Sequence, residues 1–218
     1  RRSSDLGSRS IFSIAEEENL KEIFLLENSM TGFPQAVKNS EELGIQLIFG
    51  VQLFFEGGHK INVFARNSEG CKLLNKIYSE TYSTEDSKCN DKILSYHWSE
   101  DNLLLAIPFY DSFLHQNLTT FDACTPNFLP FRPTFFTQTN HLPFDFLIRD
   151  AAEQYARNNN LETQEVKSIL YENKDDVDAL QTYKCICSRK FGKRSLSKPN
   201  LDHFGSNEFC MESLKETV

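Results

Sequence analysis

Six cysteines, five histidines and 31 acidic residues are the groups in this 218-residue chain that could ligate a metal or act as nucleophile or base. Their spacing opposes most of that chemistry. Cys71, Cys89, Cys124, Cys185, Cys187 and Cys210 include no Cys-x-x-Cys pair, and Cys185-x-Cys187 is a poor zinc spacing. His59, His97, His115, His141 and His203 form no His-x-His motif. A histidine so placed is more often a surface or satisfied core residue than a ligand. Asp175, Asp176 and Asp178 cluster, but at a helix start, where they complement the dipole. A P-loop and a Gly-x-Ser-x-Gly elbow are both absent from the sequence. One basic run stands out: Arg189, Lys190, Lys193 and Arg194 surround Phe191 and Gly192. Such cations could clamp a phosphate backbone, although a solvated loop is the commoner outcome.

The elements that must position these groups alternate. Ser13 with Glu16 reads as a helix start, and residues 23–26 as a short buried strand. Residues 34–43 read as a helix opened near Pro34 and stopped by Gly44, followed by a strand over 46–53. Gly57-Gly58 is a hairpin turn, and residues 60–65 return as a strand. A helix over 68–82 follows, then a loop over 83–92 and a strand over 102–109. Residues 111–133 read as irregular. Beyond them come a strand over 134–137, a helix over 143–157, a strand over 166–171 and a helix over 175–187. The tail, 188–218, reads as loop-rich. Alternating short strands and helices predict an α/β layer or barrel, in one domain spanning residues 1–218.

Composition narrows the classes further. A net charge of −8 excludes wholesale nucleic-acid binding, so any DNA contact would be a weak local patch. Nineteen phenylalanines against one tryptophan predict a core packed through phenyl rings. Arg1-Arg2-Ser3-Ser4 leads into no apolar stretch, and no run approaches a membrane span. The expectation is a reducing, cytoplasmic compartment with free thiols and no membrane association. There the acceptor motif Asn117-Leu118-Thr119 would go unglycosylated.

Four stretches carry a resemblance. They are Asn28-Ser29-Met30-Thr31-Gly32 leading through a helix to ELGIQLIFGVQL (42–53), FARNSEGCKLL (64–74), DDVDALQTYKCI (175–186) and LSKPNLDHFGSNEFCMES (196–213). In order and spacing the chain resembles the N-terminal PHP (polymerase and histidinol phosphatase) domain of bacterial-type replicative DNA polymerase III alpha subunits. The resemblance implies a PHP-type distorted (β/α)7-like barrel. In active members, histidines and carboxylates at strand ends bind up to three metals for phosphoester hydrolysis or proofreading.

Carried over residue by residue, those positions are depleted. The opening histidine motif falls near Ser3-Ser4-Asp5, leaving only Asp5. The next aspartate position is Leu26, beside Glu27, and a glutamate position is Gln52. Ser168 and Leu170 stand where an aspartate and a histidine are expected, and His141 lies near a family histidine. Leucine has no lone pair for a metal, and neutral glutamine cannot balance its charge. The resemblance therefore implies a metal-free, catalytically degenerate module with no cofactor. Its partners would be a polymerase core or other replisome proteins, its tail leading towards an absent palm, with only weak non-specific DNA contact. It further implies that Leu26 and Leu170 are packed at the barrel mouth. The competing readings are a residual phosphoesterase or 3′–5′ exonuclease using zinc, manganese or magnesium on Asp5, Glu27 and His141, and a DNA-binding accessory acting through residues 189–198.

Overall fold

The computed structural model describes residues 10–119, 124–187 and 206–217. Its frame is one mixed sheet of six strands in sequential order: β1 (Glu22–Glu27), β2 (Gln46–Phe54), β3 (Lys60–Ala65), β4 (Leu103–Ile107), β5 (Thr134–Thr137) and β6 (Glu162–Glu165). β1 and β2 pair in parallel, as do β4, β5 and β6, while β3 is antiparallel to both its neighbours. Five strands therefore end on the same edge of the sheet. The α/β expectation holds. The closed seven-unit barrel does not follow, because β1 and β6 are the outer strands of this sheet.

Alternation along the strands separates two faces. Ile23, Leu25, Val51, Leu53, Ile61 and Val63 are buried in the main core with Ala36 of α2 (Phe33–Leu43), Leu74 and Ile77 of α3 (Ser68–Ser83), and Ala152 and Ala156 of α6 (Asp145–Asn159). Phe24, Leu26, Gly50, Gln52, Asn62 and Phe64 occupy the intervening positions and so project from the opposite face. Gly44, in the left-handed region at φ 65°, ends α2 and returns the chain into β2. Gly57 and Gly58, at φ 86° and 84°, turn β2 into β3.

Several local expectations need correction. α1 (Ile11–Glu17) is capped by Ser10, whose Oγ accepts from Ser13 N at 3.1 Å, so Ser13 lies inside the helix. α4 (Asp91–His97) begins where a loop was expected to end; Asn90 caps it by accepting from Ile93 N at 3.0 Å. α5 (Phe113–Thr119) lies within the stretch read as irregular. The strand expected over 166–171 lies earlier, at β6. Its four side chains, Glu-Thr-Gln-Glu, are all exposed, so no apolar period marks it, and backbone pairing with β5 makes it a strand. Beyond it, among the described residues, Tyr171 bridges to Cys210. α7 (Val177–Cys187) follows as expected, while α8 (Met211–Thr217) adds a helix to the tail.

Candidate functional site at the carboxyl ends of the strands

In open α/β sheets the carboxyl ends of the strands are where ligands bind. Here that edge carries Leu26 and Glu27 ending β1, Gln52 near the end of β2, Gln138 to His141 just after β5, and Ser168 beyond β6. The sequence-expected positions that are described thus share one edge. They do not form one cluster. Ser3, Asp5, Arg189, Lys190, Lys193 and Arg194 lie outside the described residues.

The β1–β3 side of the edge is apolar. Phe64 is buried at 3% exposure on the face away from the helices. Its ring lies over Gly50, where a Cβ would meet Phe64 Cδ1 at 2.4 Å. Phe24 and Phe136 flank it, each with ring centroids 6.1 Å away. Gln52 spends its amide on a neighbour, donating from Nε2 to Asn62 Oδ1 at 3.2 Å. Burial raises the Glu27 carboxyl above its ordinary range. Leu26 is 38% exposed and Leu170 48%, so the expected leucine packing at a barrel mouth is not observed. The physical reason is the open sheet: no opposing strand closes over that face among the described residues, and Phe64 fills the space above Gly50 instead.

The β4–β6 side is polar and buried. Asp145, opening α6, accepts from Tyr110 Oη at 2.8 Å, Asn140 N at 2.9 Å and Leu142 N at 3.2 Å. Asn140 donates through Nδ2 to Tyr110 Oη and to Gln138 Oε1, both at 3.1 Å. Gln138 Nε2 donates to Ser168 Oγ at 2.8 Å, and Ser206 Oγ donates to the Asn140 carbonyl at 3.4 Å. Asn140 Oδ1 is a buried acceptor without a partner among the described residues. Desolvation, and then the bond to Asp145, hold the Tyr110 phenol far above its ordinary range, so it remains a donor. His141 is exposed with φ 57°, turning the chain from Asn140 towards α6.

This arrangement is a set of neutral amides and hydroxyls with one carboxylate already satisfied by three donors. It offers hydrogen-bond donors and acceptors. Among the described residues no three histidine, cysteine, aspartate or glutamate side chains converge to hold a metal ion. Tyr110, Gln138, Asn140 and Asp145 escaped the sequence reading. Their signal was present: Tyr110 and the run Gln138-Thr139-Asn140 stand directly after the strands expected at 102–109 and 134–137.

No family model matches the sequence, and no curated protein matches it. Among solved structures, the chain is similar to a two-domain protein from Bacteroides vulgatus ATCC 8482 containing a predicted PHP-like metal-dependent phosphoesterase. The TM-score is 0.45 and the identity 12%, over 70% of this chain and 44% of that one, so the chain spans less than half that protein's length. No helix among the described residues is long and apolar enough to cross a membrane.

Proposed function

We propose that the chain is a PHP-like module without a catalytic metal cluster, serving a replicative DNA polymerase of the polymerase III alpha type as a structural or protein-interaction domain. The observation that supports it is the residue set at the ligand positions. Leu26 is apolar, while Gln52 and Ser168 are neutral side chains, the one donating to Asn62 and the other accepting from Gln138. Their chemistry favours neutral hydrogen bonding over holding divalent charge. The four motif segments, which resemble the polymerase family in order and spacing, support this reading over that of a free-standing enzyme.

The test has two arms. Protein purified without chelator should retain well under one equivalent of zinc, manganese or iron and should not degrade single-stranded DNA from its 3′ end with added manganese. Mixed with the polymerase core encoded in the same genome, it should co-elute as a stable complex. Manganese-dependent degradation that disappears in Asp5→Asn, Glu27→Gln or His141→Ala would overturn the metal-free reading. Failure to co-elute would overturn the polymerase role. Binding to DNA through Arg189, Lys190, Lys193 and Arg194 belongs to the same proposal. It should be no tighter than about 10⁻⁴–10⁻⁶ M at physiological salt. It should vanish when all four are changed to alanine.

A further inference from the structure

His59 follows the glycine turn between β2 and β3 and is fully buried, at 0% exposure. Its ring packs among Phe55, Phe113 and Phe128 at centroid distances of 5.3, 6.1 and 5.8 Å. Neither ring nitrogen has a hydrogen-bond partner among the described residues. A neutral imidazole carries one N–H and one lone pair, so leaving both unpaired in an apolar cage is unfavourable. Desolvation lowers its pKa from 6.5 to about 4, which leaves the lone pair free of a proton at neutral pH.

Cys124 stands beside this ring. The Asn117 side chain clamps its backbone, donating from Nδ2 to the Cys124 carbonyl at 2.6 Å and accepting from Cys124 N at 2.8 Å. Gln116 Nε2 donates to the Gly58 carbonyl at 2.8 Å and pins α5 to the turn. The point that a Cβ on Gly57 would occupy lies 3.1 Å from Cys124 Sγ and 3.4 Å from His59 Nδ1. Both donors therefore approach the same side of Gly57, where the absence of a side chain lets them come close to each other. Cys124 is half-buried, so its side of the pair is partly open to solvent.

We propose that Cys124 Sγ and His59 Nδ1 form a two-donor site for copper(I). Two donors are too few for the tetrahedral shell of zinc or the oxygen shells of calcium and magnesium. A thiolate with an imidazole suits a soft monovalent ion that accepts low coordination. On binding, a sulfur–copper bond forms as the thiol releases its proton to solvent, and the imidazole donates a lone pair without losing a proton. No oxidation state changes. The site is on the β2–β3 turn and stands apart from the function proposed above.

The test is anaerobic titration with copper(I) against a colorimetric copper(I) chelator. The parent is the full chain carrying Cys185→Ser and Cys187→Ser, because that pair of thiols could itself bind copper. One equivalent should be retained, and it should be lost in both Cys124→Ser and His59→Gln. X-ray absorption at the copper edge should show one sulfur and one nitrogen neighbour. Silver(I) should raise the thermal midpoint of the parent and not of Cys124→Ser, whose half-buried position makes it the variant that keeps the fold. Copper retained equally by Cys124→Ser, or an all-sulfur environment, would overturn the site.

Discussion

The two halves of one sheet edge are built on different principles. Around β1–β3 the chain relies on shape: Phe64 rests on a position that only glycine leaves free, between Phe24 and Phe136. Around β4–β6 it relies on a buried hydrogen-bond network: Asp145 has three donors, and Asn140 links Tyr110 to Gln138. The contrast extends to the two carboxylates. Asp145 is buried with its donors, whereas burial raises the Glu27 carboxyl away from its charged form. An edge of this kind keeps its buried polar groups largely where a network supplies partners, and packs rings elsewhere.

If that contrast is right, the polar half should be the more fragile. Asp145→Ala removes the acceptor of one phenol and two backbone N–H groups at once. Hydrogen bonds to a charged group contribute roughly 1.5–3 kcal/mol each, and orphaned buried donors add their own penalty, so about 3 kcal/mol or more should be lost. A urea melt would measure it. A loss below about 1 kcal/mol would mean that water serves the three donors as well as the carboxylate does.

On the apolar half, Gly50→Ala drives a methyl group to 2.4 Å from the Phe64 ring. Overpacking of this sort typically costs about 1–3 kcal/mol. Phe64→Leu should cost stability alone yet restore part of the loss in the double variant, because the two share one space. Additive losses in that cycle would show that the ring does not rest on Gly50 in solution.

Legibility in the sequence divides along the same line. The helix-side face could be read because Ile23, Leu25, Val51, Leu53, Ile61 and Val63 bury through a period of two against helices of regular period. The boundaries of β3 and β5 matched the structure at each end. β6 could not be read, since Glu162, Thr163, Gln164 and Glu165 are all exposed and owe their conformation to β5. Leu26 was misplaced for a related reason. Local pattern says that a leucine ends a strand, and only the openness of the sheet decides whether anything covers it.

A smaller effect separates the two carboxylates by pH. The Glu27 carboxyl has its pKa raised in the folded state above its ordinary 4.5, by desolvation. The folded chain therefore holds that proton more tightly than the unfolded chain, and Glu27 lowers stability as pH rises above about 4.5. Glu27→Gln should leave the chain equally stable in acid and gain a modest advantage towards neutral pH, read as the difference in urea midpoints. A constant difference across that range would show that Glu27 is better solvated than its position suggests.

The smallest effect is expected at Leu26. A leucine buried at a metal-free barrel mouth would resist charge, and Leu26→Asp would then cost several kcal/mol. At 38% exposure on an open face, the carboxylate can instead reach water. A surface substitution of this kind usually stays within about 0.5 kcal/mol, with some further penalty from Glu27 next to it in sequence. Added manganese or zinc should not rescue the variant, because neutral Gln52 and Ser168 supply no ligand charge and among the described residues no three histidine, cysteine, aspartate or glutamate side chains converge to hold a metal ion. The urea midpoint of Leu26→Asp, with and without metal, therefore reports on the face itself. A loss of several kcal/mol would mean that the face is covered in solution by another part of the chain or a second molecule. Metal-dependent recovery would mean that ligands outside the described residues complete a site there.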